Sequence, residues 1–322
     1  VTWGEAGVGV VATQSFVDPG YGPRALDLLR SGVSAPDALK RLVAADAQRD
    51  GRQVAILDAQ GRVDAYTGKN AIAAAGHIVG AGVSAQANMM GQATVWPAML
   101  KAYEAAGSGD LADRLMAALE AAESAGGDLR GRQSAALLIV KAKGTGRPWA
   151  GADRTFDLRV EDHPSPVTEL KRLVRYQRAY THANRGDELM TEKKVDEALG
   201  EYRAASKLAP EVLELPFWHA VTLASIGREA EAAPIFTAVF AKQPQWVELL
   251  GRLPAGGSSP TTRRSSHGSG RSRRAVSGAF AACRLSKDHT HTPRRQSPPR
   301  RRRSRWREQG PRTGLTRTAR RL

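Results

Sequence analysis

The chain has 322 residues, with 48 Lys and Arg against 32 Asp and Glu and a single cysteine. One cysteine excludes an internal disulfide framework and a thiolate metal site, and the absence of any apolar run of about 18 residues speaks against a membrane-spanning helix. The net charge of +16 would by itself suggest a polyanion binder, but residues 253–322 hold 19 of the basic and only 2 of the acidic residues, which leaves 29 basic and 30 acidic residues in the first 252.

In chain order, Val8 to Ala12 is a compact apolar run suited to a buried strand. The turn cluster DPGYGP (Asp18 to Pro23) follows. Pro23 suits the first turn of a helix that runs through Leu26 and Leu29 and stops near Gly32. Ser34 caps the next helix, with Asp37 three residues on and Leu39, Leu42 and Val43 as its buried stripe. In RQVAILDAQGRVDAYTG, the pairs Val54, Ile56 and Val63, Tyr66 flank a polar turn and predict a hairpin. Val95 to Ala106 and Leu111 to Ala125 read as two helices, the second stopped by Gly126 and Gly127. Ser134 to Val140 is a buried strand and Phe156 to Val160 a shorter one. Helices interleaved with strands predict a layered α+β domain over residues 1–175.

Residues 176–252 are helical in pattern and carry an internal repeat. At an offset of 34 residues Gly186 matches Ala220, Leu189 matches Leu223, Ala198 matches Ala232, Tyr202 matches Phe236 and Pro210 matches Pro244. That is the tetratricopeptide period: small residues let two helices approach, an aromatic fills the gap to the next hairpin, and Pro ends the second helix. Two such repeats fall below the ~3 that usually stand alone, so they are expected to lean on the first domain, on Leu170 to Val174, or on another copy. Residues 253–322 are rich in Arg, Ser, Gly, Thr and Pro, and are expected to be disordered. Two readings of this tail stay open. The segment PPRRRRSRWREQGPR would bind polyanions non-specifically through its Arg cluster and Trp306. The ratio of Arg to Lys, 18 to 1 in the tail against 19 to 10 before it, favours instead a GC-rich gene read in another frame.

None of the familiar catalytic motifs is present: there is no phosphate-binding loop, no HExxH and no GxSxG. GAGVSAQANMM (Gly80 to Met90) is the nearest approach to a Gly-rich loop, but it lacks the Lys and following Ser or Thr of a nucleotide site. Gln86 and Asn88 follow its Gly/Ser turn, and such amides can donate to a developing oxyanion. Asp128 and Arg130, with Gln133 and Ser134, stand just before a buried strand, at a position suited to a sheet edge facing a cleft. Asp50 and Arg52 precede the hairpin in the same way. The bland reading of each is a turn held by side-chain-to-backbone hydrogen bonds, and the residues alone favour it. His77, His163 and His182 read as structural and form no ligand spacing, so no metal and no cofactor are expected.

Residues 1 to about 175 resemble a bacterial family of unknown function related to the Ntn hydrolases (domain of unknown function 1028). The resemblance rests on WGEAGVGVVATQSFVDPGYGPRALDLL, RDGRQVAILDAQGRVDAYTG, AGHIVGAGVSAQANMM, GGDLRGRQSAALLIV and FDLRVEDHPSPVTELKRL. It implies a four-layer αββα sandwich, followed here by tetratricopeptide-like hairpins. It also implies an N-terminal Thr or Ser as nucleophile of an amide hydrolase, with its own α-amine as base. Relative to that family a first stretch of strand is expected ahead of Val1, so Thr2 is not taken as the nucleophile and the chain as it stands is expected to be inactive. The expected function is an amide or peptide hydrolase with Gln86, Asn88, Asp128 and Arg130 in its cleft and a small amide or peptide as substrate. The alternative is a binding scaffold that holds a peptide or protein on its repeats. A cytoplasmic location is expected, although a shortened N-terminus would hide an export signal.

Overall fold

The computed structural model describes residues 2–146 and 151–253. The expectations for the tail, its disorder and its polyanion binding, lie outside the described residues beyond Leu253.

Four antiparallel strands form the main sheet in the order β1 (Thr2–Glu5), β2 (Gly9–Ser15), β3 (Arg52–Asp58) and β4 (Val63–Thr67). The helices α1 (Tyr21–Arg30) and α2 (Ala35–Ala45) connect β2 to β3 and cover one face. Ser34 caps α2 as its spacing predicts, its hydroxyl accepting from the Asp37 N–H at 3.3 Å. Alternation along the strands sends Val11, Val54 and Ile56 into the helices, where they pack with Tyr21, Leu26 and Leu39. The β3–β4 turn closes around Asp58, which is 2% exposed. Burial alone would raise its pKa, but hydrogen bonds from Ala35 N at the start of α2, from Gln60 N and from Arg62 outweigh that and hold it low.

Two hairpins pack on the other side of the sheet: β5 (Gly76–Gly80) with β6 (Val83–Ala87), and β7 (Ala135–Val140) with β8 (Arg154–Val160). Between them in sequence lie α3 (Val95–Ala105) and α4 (Leu111–Ser124). The Gly-rich stretch from Gly80 to Met90 is thus the turn and second strand of a hairpin, not a loop. Strand β5 lies close against α3: a Cβ on Gly76 would stand 2.5 Å from the Trp96 ring. Hairpin β7–β8 packs with α4 and the start of α5 through Leu137, Ile139, Phe156, Met116 and Leu170, and Val140 and Leu138 also reach β1 at Gly4.

The molecule is therefore a mixed α/β structure of small antiparallel sheets with a helical C-terminal region. A second continuous sheet, as the resemblance implies, is not formed among the described residues. Strands β6 and β7 share no ladder, and residues 89–91 and 127–129 join instead through a single bridge, Met90 to Asp128.

Helix α5 (Pro166–Thr191) runs without a break through residue 175, where the composition changes. Its first half packs on β7–β8 through Val167, Leu170 and Val174, and its second half contributes Ala179 and Leu189 to the cores of α6 (Val195–Leu208), α7 (Glu214–Ser225), α8 (Glu229–Lys242) and α9 (Trp246–Arg252). Arg178 ties the same helix to Asp110 and Asp113 of the α4 terminus, each at 2.9 Å. The residues matched at 34 positions apart do the packing: a Cβ on Gly186 would stand 2.6 Å from the Tyr202 ring, and Phe236 meets Phe217 edge to face.

Two stability effects are expected. Gly186→Val overpacks the Tyr202 contact and should cost about 1–3 kcal/mol, read as a lower denaturant midpoint. His219 is 7% exposed, its Nε2 has no partner and its ring stacks on Tyr202. Burial, aided by Arg203 and Arg228 and opposed by Glu231, holds its pKa below the ordinary 6.5. The unfolded chain therefore takes up this proton more readily than the folded one. The associated stability is complete above pH 6.5 and is lost as pH falls below it. His219→Phe should flatten this acid-side decline in urea midpoints measured across a pH series.

Candidate functional site

The face of the sheet turned away from α1 and α2 carries a polar row. Register places Gln14 beside Gln53 and Gln53 beside Thr67, across β2, β3 and β4. The next row on the same face is Ala12, Ala55 and Ala65, whose small side chains leave room for the opposing hairpin. On that hairpin His77 of β5 pairs with Gln86 of β6, and their side chains, with that of Asn88, meet the polar row. Six polar side chains from five neighbouring segments thus lie between the two β layers.

Gln53, with 0% exposure, is the centre of this layer. Its Nε2 lies 2.9 Å from Ala87 O, 3.1 Å from Gly76 O and 3.0 Å from Thr67 Oγ1, so two hydrogens serve three acceptors. Its Oε1 accepts from Asn88 Nδ2 at 3.0 Å. Thr67 Oγ1 lies 2.8 Å from His77 Nδ1. Gln86 donates from Nε2 to Gln14 Oε1 at 2.9 Å and to Ala12 O at 3.4 Å. Its Oε1 is shut off from solvent and has no hydrogen-bond partner, as is Ser84 Oγ two residues earlier on the same face of β6. A buried polar atom without a partner is uncommon and calls for a reason.

Gln86 and Asn88 thus sit together in this layer, but in different electronic roles. Both N–H groups of Gln86 are committed, so its open atom is an acceptor. Asn88 commits one N–H to Gln53 and keeps a second. Asp128 and Arg130 make no side-chain hydrogen bond to these amides. They bond to each other, Arg130 Nε to Asp128 Oδ1 at 2.9 Å and Nη2 to Oδ2 at 2.6 Å, and Asp128 also accepts the Arg130 backbone N–H at 2.8 Å. Arg130 in consequence holds the Asp128 carboxyl below its ordinary pKa. Their link to the polar layer is through the backbone: Leu129 N donates to Met89 O at 3.0 Å and Gly91 N to Gly127 O at 2.8 Å. Asp50 pairs with Lys69, and Arg52 with Asp46, at the end of the sheet. His163 accepts the backbone N–H of Ser165 at the start of α5.

Sequence reasoning missed Gln14, Gln53 and Thr67. The alternation of RQVAILD puts Gln53 on the face opposite Val54 and Ile56, and only the opposing hairpin makes that position fully buried. The described surface also has an open groove of about 520 Å³ between α2 and β4, lined by Lys40, Arg49, Asp64 and Tyr66 among others, and none of the predicted site residues lines it. No group of three His, Cys, Asp or Glu residues is close enough to hold a metal among the described residues.

Gln53→Leu is expected to strand Ala87 O, Gly76 O and Asn88 Nδ2 at once. Each buried group left unpaired costs roughly 1–3 kcal/mol, so the loss in unfolding free energy should be at least about 3 kcal/mol. The contrasting surface change Arg130→Gln should alter it by no more than about 1 kcal/mol, as exposed ion pairs do.

A search of curated proteins finds no relative. Among solved structures, protein SPO2555 from Silicibacter pomeroyi is 31% identical, with the alignment covering 54% of this chain and 72% of that one at a TM-score of 0.47. Its crystal structure is assigned to DUF1028. Residues 1–170 of this chain match the family of unknown function DUF1028. With more than half of its length matched, and a polar layer built from those matched residues, the chain belongs to the DUF1028 family.

Proposed function

We propose that the α/β region recognises and hydrolyses an amide bond, with the four-stranded sheet and the two hairpins serving as the β layers of an Ntn-hydrolase-like sandwich. The observation that carries this reading is the unequal state of two neighbouring amides, Gln86 on β6 and Asn88 just past its end. Gln86 Oε1 is a buried acceptor with no donor. Asn88, 8% exposed, has a second N–H beyond the one held by Gln53. An acceptor and a donor side by side, two residues apart at the end of β6, are complementary to the N–H and C=O of a peptide group. In this reading Asn88 donates to the carbonyl oxygen as negative charge develops there, the role for which a preorganised amide is suited. The attacking hydroxyl is the N-terminal Thr or Ser that the resemblance implies, with its α-amine as base. Asp128 and Arg130 keep the segment beside Met89 and Met90 in place through their turn.

A second reading, a peptide-holding scaffold, has one observation in its favour. The residues spaced 34 apart in the helical region pack small against aromatic, as Gly186 does under Tyr202, which supports a tetratricopeptide-like arrangement of α5 to α8.

The hydrolase reading is tested with protein processed to an N-terminal Thr or Ser and offered a panel of dipeptides and N-acyl amino-acid amides. Hydrolysis is expected, and Asn88→Ala should lower kcat by about 10²–10³ with little change in KM, the range seen when one oxyanion donor is removed. No turnover of any member of the panel, or turnover indifferent to Asn88, counts against the reading.

A further inference from the structure

We infer that Thr67 and His77 form a second reactive centre, a hydroxyl–imidazole pair that can take up an acyl group without any N-terminal nucleophile. The substrate class, an acyl amide or ester, rests on the amide-recognising reading above, whereas the pair itself does not.

The geometry is that of a nucleophile held against its base. Thr67 Oγ1 and His77 Nδ1 are 2.8 Å apart, on the facing strands β4 and β5 of the two layers, within the 2.6–3.2 Å range that proton transfer requires. Thr67 and His77 are each partly exposed rather than buried, and the inference requires that an acyl donor reach the hydroxyl along that open side. The third member is Gln53. Its Nε2, 3.0 Å from Thr67 Oγ1, has no lone pair to accept a hydroxyl hydrogen. The reactive arrangement has the Thr67 hydrogen turned toward Nδ1 and the His77 proton on Nε2. The same Gln53 amide holds Asn88 at its other end, so the donor assigned to the carbonyl oxygen and the hydroxyl that would attack the carbonyl carbon are fixed to one rigid group.

The chemistry balances with water as the co-reactant. Thr67 Oγ1 attacks the acyl carbon while His77 Nδ1 takes the hydroxyl proton, and a C–O bond forms. The tetrahedral species collapses with cleavage of the bond to the leaving nitrogen or oxygen, which departs with the proton from the imidazolium. A water molecule then attacks the Thr67 ester, giving its proton to Nδ1. The acid is released, and the proton returns to Thr67 Oγ1.

The test treats the whole chain with a fluorophosphonate, which transfers its phosphonyl group to an activated hydroxyl with loss of fluoride, and locates the adduct by peptide mass mapping. The expected result is an adduct on Thr67 that forms at least about 10²-fold more slowly in His77→Gln, the lower end of what a positioned base contributes. Thr67→Ser should keep the adduct at position 67, and Thr67→Val should lose it. No adduct on Thr67 of the unmodified chain overturns the inference without any need for a variant. So does an adduct whose rate ignores His77→Gln. An adduct that forms as expected, with no hydrolysis of any amide by protein processed to an N-terminal Thr or Ser, would leave the pair standing and remove the hydrolase reading. Amide hydrolysis that persists with Thr67 unlabelled would do the reverse.

Discussion

The arrangement depends on one buried amide. Gln53 comes from the middle strands of the sheet, is fully enclosed, and holds the opposing hairpin by two of its backbone carbonyls, Gly76 O and Ala87 O. Burying an amide without partners costs roughly 2–7 kcal/mol, so the state in which Gln53 is satisfied is separated from alternatives by more than a single hydrogen bond would provide. Because its targets are main-chain atoms on both strands of the hairpin, the position of β5–β6 over the sheet is set by geometry that no side chain of the hairpin can alter. His77, Gln86 and Asn88 acquire their partners as a consequence.

The two faces of the main sheet obey different rules. Toward α1 and α2, Val11, Val54 and Ile56 meet Tyr21, Leu26 and Leu39 in a dry apolar core, where non-directional burial dominates. Toward the hairpin the contact is polar and directional, Gln14 with Gln86, Gln53 with Asn88, and Thr67 with His77. Directional contacts at low dielectric specify one arrangement and penalise every other. Such a layer holds side chains in fixed orientations, as a recognition site requires. Gln86 Oε1 and, two residues earlier, Ser84 Oγ stay without partners in it, and the functional reading centres on the first because it adjoins Asn88.

The helical region is joined to the α/β region by continuity of structure rather than by a linker. Helix α5 supplies Leu170 and Val174 to the core beneath β7–β8 and Leu189 to the core of the hairpins beyond. A rigid helix shared by two cores transmits packing changes from one to the other. The C-terminal helices thus pack on a helix that is already anchored in the α/β region.

Much of the fold was legible in the sequence because local signals agreed with it. The Ser34 cap, the β3–β4 hairpin and the two Ala- and Leu-rich helices each rest on periodicity or turn chemistry within a short span of chain. The hairpin β5–β6 was read as a loop, since its short strands are rich in Gly and Ala and owe their order to Trp96 above and Gln53 below. The site followed the same division. Gln86 and Asn88 were visible as amides after a Gly/Ser turn, but their partners are 35 and 72 positions away for Asn88–Gln53 and Gln86–Gln14. The pairing of Asp128 with Arg130 within one turn depends on how that turn folds, which the spacing alone does not show. By itself the sequence determined the helices, the central hairpin and the family. Tertiary structure alone decided which glutamine is buried, which amide keeps a free donor or acceptor, and which hydroxyl meets a histidine. Hydrogen-bond complementarity belongs to pairs of atoms, and only the stacking of one β layer on another chooses the pairs.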